Sequence, residues 1–263
     1  MYLTDLVALA IQDGSKVNTL CTQDSLEIMG VNTRVQLAEL ERSYQKKIAH
    51  DLMINGMSLR DPARVDVRGT VNHGIDIDVD INVIFEGNVE LADGVQIGAN
   101  CIIRNCSLGA GTVIESNCVI EDTSIGAGCH IGPFARIRPG TVLADQAKIG
   151  NFVEIKKSSL GFGSKVNHLS YIGDATVGAE VNIGAGTITC NYDGANKFRT
   201  VIGDKVFVGS NTALVAPVTI GEGATIGAGS VITQNVESRQ LALAREKQLN
   251  ISGWKRPEKH PAK

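Results

Sequence analysis

Val177-Gly178, Ile183-Gly184, Ile202-Gly203, Val208-Gly209, Ile220-Gly221 and Ile226-Gly227 set the rhythm of this chain. Between Ile97 and Gly227 an aliphatic residue is followed directly by glycine thirteen times, at intervals mostly of six or within one residue of a multiple of six. A six-residue beat predicts a parallel β-helix, in which each short strand sends one aliphatic side chain inward. The glycines suit the sharp corners between faces, where a positive φ is tolerated without a Cβ. Intervals that fall one short of such a multiple shorten some turns. Three faces per coil follow, with coils of about 17–18 residues. The predicted fold class is mainly β: a hexapeptide-repeat solenoid with a short helical segment before it and a helical, basic tail after it.

Composition agrees. At 263 residues there is room for one large domain or two smaller ones. Only 4% of residues are aromatic, as expected of stacked aliphatic ladders with little space for rings. A net charge of −3 argues against a general binder of nucleic acid or membrane surfaces. Leu6-Val7-Ala8-Leu9-Ala10 is short and follows Asp5, so no signal peptide is predicted, and no run reaches the length of a membrane span. The six cysteines form no Cys-x-x-Cys pair. Buried, reduced thiols and a cytoplasmic location are the expectation.

Three segments differ in texture. Residues 1–54 lack the beat; helices are predicted over Leu3 to Gln12 and Thr33 to His50, the second with Leu37, Leu40, Tyr44 and Ile48 on one stripe. Residues 55–235 carry the solenoid, irregular between Val71 and Val89. Residues 236–263 form the tail, with a helical pattern to about Leu249 and then Trp254, Lys255, Arg256 and Lys259.

Function is sought where the period fails. After Ile183-Gly184 one hexapeptide fits, and then Thr189 to Val201 takes thirteen residues, a polar excursion bearing Asn191, Tyr192, Asp193 and Lys197. A surface insertion is the plain reading of such a loop, but its side chains form a recognition set. Arg136 and Arg138 flank Pro139-Gly140, and Lys156-Lys157 follow Ile155 at a corner. Each pair alone reads as solvated charge; together, about one coil apart, they suit a phosphate. His168 is the third departure, a side chain of a type that serves as a base near neutral pH.

Ile131-Gly132-Pro133-Phe134-Ala135-Arg136-Ile137-Arg138-Pro139-Gly140, Gly150 to Lys157, and Asn182 to Gly194 closely resemble one family. It is the bacterial bifunctional N-acetylglucosamine-1-phosphate uridyltransferase/glucosamine-1-phosphate acetyltransferase. The resemblance implies that residues from about 55 onward correspond to its left-handed β-helix acetyltransferase domain, and residues 1–54 to the last helices of its uridyltransferase domain. It implies acetyl transfer from acetyl-CoA to glucosamine 1-phosphate, towards UDP-N-acetylglucosamine for peptidoglycan and lipopolysaccharide. Residue by residue it implies His168 as general base, Arg138 and Lys156 as phosphate ligands, and Tyr171 and Asn182 as sugar contacts. Ala185, Asn191, Tyr192, Ser210, Ala228 and Arg245 match positions that contact acetyl-CoA. A homotrimer with shared sites is also implied. Asn32 matches a residue that helps hold Mg²⁺ for uridyl transfer. The family's glycine-rich nucleotide loop and metal carboxylate have no counterpart here, so that activity is expected to be missing. Two other classes compete with this reading. One is a carbonic-anhydrase-like zinc site, for which His73, His130 and His168 are too scattered. The other is a non-catalytic scaffold, against which the loop and basic corners count.

Overall fold

The computed structural model describes residues 2–256. Residues up to Ile48 form one compact unit and those from Ala49 a second.

The first unit holds helix α1 (Asp5–Gln12), a 3-10 turn at Ser25–Ile28 and most of helix α2 (Arg34–Ile54), whose last residues, from Ala49, belong to the second. Asp24 caps the turn, its Oδ1 accepting from the Leu26 N–H at 3.0 Å while Oδ2 meets Lys47 Nζ at 2.9 Å. The Lys47 ammonium holds the Asp24 carboxyl below the usual carboxylate range. A reciprocal cap opens α2: Thr33 Oγ1 accepts from the Gln36 N–H, and Gln36 Oε1 accepts from the N–H groups of Asn32 and Thr33. The helix runs past the predicted end at His50 and stops before Gly56, whose φ of 102° closes its C-terminus. The predicted stripe is not a buried face, because Leu37 and Tyr44 stay exposed; Gln45, Ala49 and Leu52 are the buried positions.

From Met57 the chain winds as a left-handed parallel β-helix. Along its first face, Val113 pairs with His130, His130 with Lys148, Lys148 with Lys165 and Lys165 with Asn182. Each coil therefore advances by three hexapeptides or by one residue fewer. Asn182 then pairs with Phe207, a longer advance that contains the loop. Every coil adds one residue to each inward ladder. Ile131, Ile149, Val166, Ile183, Val208 and Ile226 line the first face; Ile120, Ile137, Ile155, Ile172 and Leu214 the second; Ile125, Leu143, Leu160, Val177, Ile202 and Ile220 the third. Each fully buried side chain of this size contributes about 1.5–3 kcal/mol. The stacked coils thus supply the core that no single coil could form.

Corners stack as regularly. Between the first and second faces a left-handed residue recurs at Asn82, Asn100, Asn117, Phe134, Phe152, Leu169, Gly186, Asn211 and Gly229. Between the second and third it recurs at Gly69, Gly87, Asn105, Asp122, Gly140, Lys157 and Asp174. Cys101, Cys118 and Cys129 occupy the small inward position beside a corner and are buried, as is Cys106. Burial pushes the Cys106 thiol up to about 11 and raises that of Cys129. Cys190 is half-buried and Cys21 exposed.

The tail departs from expectation. In place of a helix after Glu237, Leu241–Ala242 is a strand that extends the first face. Carbonyls of Gln240, Ala242 and Ala244 accept from the N–H groups of Thr225, Gly227 and Val231, which the end of the solenoid would otherwise leave unpaired. That backbone demand overrides the helical side-chain pattern. Lys259 lies outside the described residues. Among the described residues no helix is long and apolar enough to cross a membrane.

Candidate functional site

His168 ends the strand Lys165–His168, at the edge where the first face turns into the second. Register fixes what lies above it. Val166 pairs with Ile183, Ile183 with Val208 and Val208 with Ile226, so the residue two places on is His168, then Ala185, Ser210 and Ala228 in successive coils. These four sequence-predicted residues form one column along the edge. Arg245 joins its top, donating from Nη1 to the Ala228 carbonyl at 2.7 Å. At about 4.8 Å per coil, the column from His168 to the level of Arg245 is about 19 Å long. Below His168 stands Asn151, its register partner, with Oδ1 at 2.7 Å from His168 Nδ1. Asn182 sits on the same first face, paired with Lys165 at the opposite end of the strand.

The second face carries the basic residues. Arg68, Glu86, Arg104 and Glu121 are in register on successive coils. Arg138 and Lys156 continue the column, because Ile120 pairs with Ile137 and Ile137 with Ile155. Charges alternate from Arg68 to Arg138. Arg68 meets Glu86 at 3.1 Å, Glu86 also binds Arg104, and Arg104 meets Glu121 at 2.7 Å. Arg136 reaches Glu121 at 2.8 Å from an adjacent position, and Arg138 turns to Glu154 at 2.7 Å. Arg104 holds the Glu86 carboxyl below its ordinary range, and Glu154 raises the Arg138 guanidinium. At Lys156 the alternation stops: a cation follows a cation, and among the described residues no carboxylate lies within ion-pair distance of it.

Tyr171 stands above Glu154, and its ring folds back over Gly173, which pairs with Lys156. A Cβ at Gly173 would collide with the Tyr171 hydroxyl, so only glycine lets the tyrosine lie along the face. Asn191 Nδ2 donates to Asp174 Oδ2 and lies 3.5 Å from Tyr171 Oη. Arg138, Lys156, Tyr171 and Asn191 are thus gathered at the far edge of the second face.

From that far edge the loop departs. Strand pairing at Ile188–Cys190 and Thr200–Ile202 trims the thirteen-residue excursion to residues 191–199. Thr189 and Thr200 are buried at its base, and Thr189 Oγ1 accepts from the Gly173 N–H at 2.7 Å. The loop itself is a small hairpin closed by the antiparallel bridge between Tyr192 and Lys197. Asp193 Oδ1 accepts from the Ala195 and Asn196 N–H groups, which hold its carboxyl below the usual range. Tyr192 is exposed and bonds the Gly194 carbonyl within the tip.

The predicted residues therefore fall into two clusters. His168, Ala185, Ser210, Ala228 and Arg245 share the near edge, with Asn182 across the first face; Arg138, Lys156, Tyr171 and Asn191 share the far edge. The stretch from His168 to Gly173, which turns the corner at Leu169 and crosses the second face, separates these edges by about 15 Å at the rise of extended chain. Sequence reasoning misses Asn151, Glu154 and Asp174, which contact His168, Arg138 and Asn191. Their signal is positional: Asn151 and Asp174 each lie one coil before the partner they touch.

Among the described residues no group of three or more His, Cys, Asp or Glu side chains is arranged to hold an ion. His73 Nδ1 meets the Gly74 carbonyl and His130 Nε2 meets Glu115 at 3.2 Å. Asn32, the residue matched to the Mg²⁺ position, lies at the start of α2 with its N–H donating to Gln36 Oε1.

Residues 67–160 match the family described as GMPPB C-terminal domain, and residues 199–234 match Bacterial transferase hexapeptide (six repeats). Among solved structures, LpxA from Acinetobacter baumannii is 21% identical, with a TM-score of 0.42 over 68% of this chain and 71% of that one. A UDP-N-acetylglucosamine acyltransferase from Arabidopsis is 17% identical, with a TM-score of 0.39 over 71% and 69% of the two chains. The polySia-specific acetyltransferase NeuO is 20% identical, with a TM-score of 0.29 over 78% and 88%. At such identities activity does not transfer, and the fold assignment rests on the strand registers above.

Proposed function

We propose that this chain catalyses acetyl transfer from acetyl-CoA to the amine of glucosamine 1-phosphate. One observation carries the reading: the alternating ion column of the second face breaks at Lys156. Like charges on neighbouring strands repel, and a ladder that pairs every cation below then sets Arg138 and Lys156 side by side, where an anion would bridge them. A phosphate monoester does so with charge-assisted hydrogen bonds. Tyr171 beside them supplies a hydroxyl group for the sugar.

The near edge suits the donor. Ala185, Ser210 and Ala228 present small side chains along an open track, and Arg245 at its top is a cation for the phosphates of CoA. The thioester then lies beside His168. The Asn151 contact gives His168 a direction: an amide oxygen only accepts, so Nδ1 carries the proton and Nε2 keeps its lone pair. As the sugar amine attacks the thioester carbon, the C–N bond forms, Nε2 takes the amine proton, and the C–S electrons leave with the CoA sulfur. That thiolate is protonated in turn, which returns His168 to its starting state. The Ala185 N–H has no backbone acceptor among the described residues and is a suitable donor to the oxyanion.

The separation of the clusters supports a site shared between copies in a homotrimer, with the near edge of one chain facing the far edge and loop of the next. Thiol release from acetyl-CoA, compared with glucosamine 1-phosphate and with glucosamine, tests the reaction. Equal rates with both acceptors would remove the phosphate from the reading.

A further inference from the structure

Asp174 touches the chain on both sides of the loop. Its carboxylate accepts from Asn191 Nδ2 where the loop begins, and its carbonyl accepts from the Thr200 N–H at 3.2 Å where the loop returns. Its own N–H donates to the Lys156 carbonyl at 3.0 Å. A φ of 49° puts Asp174 in the left-handed region, which Asp and Asn enter more readily than most residues. Within the loop the Phe198 N–H donates to the Asn191 carbonyl at 2.9 Å. Entry and exit are therefore tied to each other as well as to Asp174.

The same pairing of a corner aspartate with an asparagine occurs lower in the solenoid. Asp122, at φ 46° on the same corner, accepts from Asn105 Nδ2 at 2.9 Å. There both ends of the amide are used, because Asn105 Oδ1 accepts from the Asn88 N–H at 3.0 Å. Asn191 differs. A carboxylate only accepts, so Asp174 fixes which end of the Asn191 amide faces it. Tyr171 Oη, 3.5 Å away, lies by that same nitrogen. Among the described residues nothing donates to Asn191 Oδ1. Nor is that oxygen sealed from solvent, although the residue is only 8% exposed: among the described residues Thr200 Oγ1 is the one buried side-chain oxygen without a partner.

An amide held by its nitrogen, with its oxygen left open in the cluster of Arg138, Lys156 and Tyr171, is an acceptor of fixed direction. A nearly buried acceptor with no internal partner is unfavourable unless something donates to it. The two cations beside it read an anion. The oriented oxygen reads the opposite kind of group, an N–H or O–H donor.

We infer that Asp174 is a positioning residue of the far-edge site: it holds the loop at both ends and turns the Asn191 amide so that Oδ1 accepts from an N–H or O–H group of the bound ligand. The inference rests on the acetyl-transfer reading and adds to it a residue that itself touches no substrate. Both reactants of that reading carry such donors. The amino sugar phosphate has hydroxyls and an amine, and acetyl-CoA has the amide N–H groups of its pantetheine arm.

Exchanging the two side chains tests the direction of the amide. Asn191→Asp alone sets two carboxylates against each other and should raise KM for one of the two substrates by about tenfold, the scale of one hydrogen bond. Adding Asp174→Asn again places an amide opposite a carboxylate, at a corner that asparagine also tolerates. The acceptor is then oriented once more, and KM should return to within about threefold of wild type. Asp174→Gly keeps the left-handed backbone and removes the carboxylate. Its KM for the same substrate should rise by about fivefold, and it carries the test should Asn191→Asp fold poorly. The substrate whose KM moves, glucosamine 1-phosphate or acetyl-CoA, identifies the donor that the oxygen meets. A double variant no better than Asn191→Asp would overturn the proposal, because the ligand would then be using the amide nitrogen. So would lower melting temperatures with both KM values unchanged, the mark of a residue that only holds the loop. Thiol release by the wild type is measured first. A wild type that releases none would overturn the acetyl-transfer reading and this proposal with it; an active wild type with indifferent variants would overturn this proposal alone.

Discussion

Asn151 Oδ1 lies 2.7 Å from His168 Nδ1, across one coil of the solenoid. The two residues are register partners on adjacent strands, so the contact is set by the fold rather than by a flexible loop. It orients the ring and selects the tautomer whose Nε2 is free. Asn151→Ala should therefore lower kcat by about fivefold to tenfold, the scale of one hydrogen bond of about 1 kcal/mol. Asn151→Asp keeps an acceptor at the same place and should restore most of the loss. A purely structural Asn151 would show the reverse signature, a lower melting temperature in both variants with kcat untouched.

His168→Ala removes the group assigned to proton transfer. The expected loss in kcat is about 10²–10⁴-fold. His168 is exposed, with no inward ladder role, so the melting temperature should stay within about a degree of wild type. Near-normal kcat at saturating substrates would end the assignment.

Lys156→Glu continues the alternation that stops at Arg138. The new carboxylate meets that guanidinium, a pairing worth at most about 1 kcal/mol at the surface, so thermal stability should be unchanged or slightly higher. Binding should fail, because an anion now occupies the place of the phosphate. KM for glucosamine 1-phosphate should rise by about 10–100-fold, the loss of a hydrogen bond to a charged group. Stability and affinity moving in opposite directions distinguishes this from general damage, and a KM that stays put would remove Lys156 from the site.

Much of this is legible in the chain. The aliphatic–glycine beat identifies the inward ladders because the same residue spacing that marks it in sequence sets the coil. The excursion after Cys190 is visible for the converse reason, as the place where the spacing fails. Contacts between coils are harder to see. Asn151 and His168 are neighbours in space although a whole coil of chain lies between them, whereas His168 and Gly173, much nearer in sequence, lie at opposite edges of one face. The tail misleads because Leu241 to Leu249 has a helical side-chain pattern, and only the unpaired strand ends of the final coil show why residues 240–244 are extended instead. Phe134 and Phe152 give no signal, since a corner residue is recognised as such only once its φ is known.

Arg245 is fastened to the near edge by its bond to the Ala228 carbonyl, three coils above the level of His168. At that distance it touches the donor far from the reacting carbon. Arg245→Ala should then raise KM for acetyl-CoA, by about tenfold, with little change in kcat, the pattern of binding lost equally from ground and transition states. A fall in kcat at constant KM would place Arg245 in the chemistry instead.

The separation of about 15 Å between the two edges offers a test that needs no knowledge of the interface. His168→Ala spoils the near-edge cluster and leaves the far edge whole; Lys156→Glu does the opposite. If each site were built within one chain, every site in a mixture of the two variants would carry one defect, and mixing would recover nothing. If a site takes its near edge from one copy and its far edge from the next, a mixed oligomer contains some sites in which both halves are intact. Random assortment of equal amounts, after dissociation and reassembly, should restore about a quarter of wild-type activity around a closed ring. The separately reassembled variants provide the baseline. Recovery well above that baseline requires a shared site, because neither chain alone carries both working halves. No recovery, with mixed oligomers shown to form, would mean that Lys156 and His168 serve one another within a single chain and that the loop or a bend in the solenoid closes the gap.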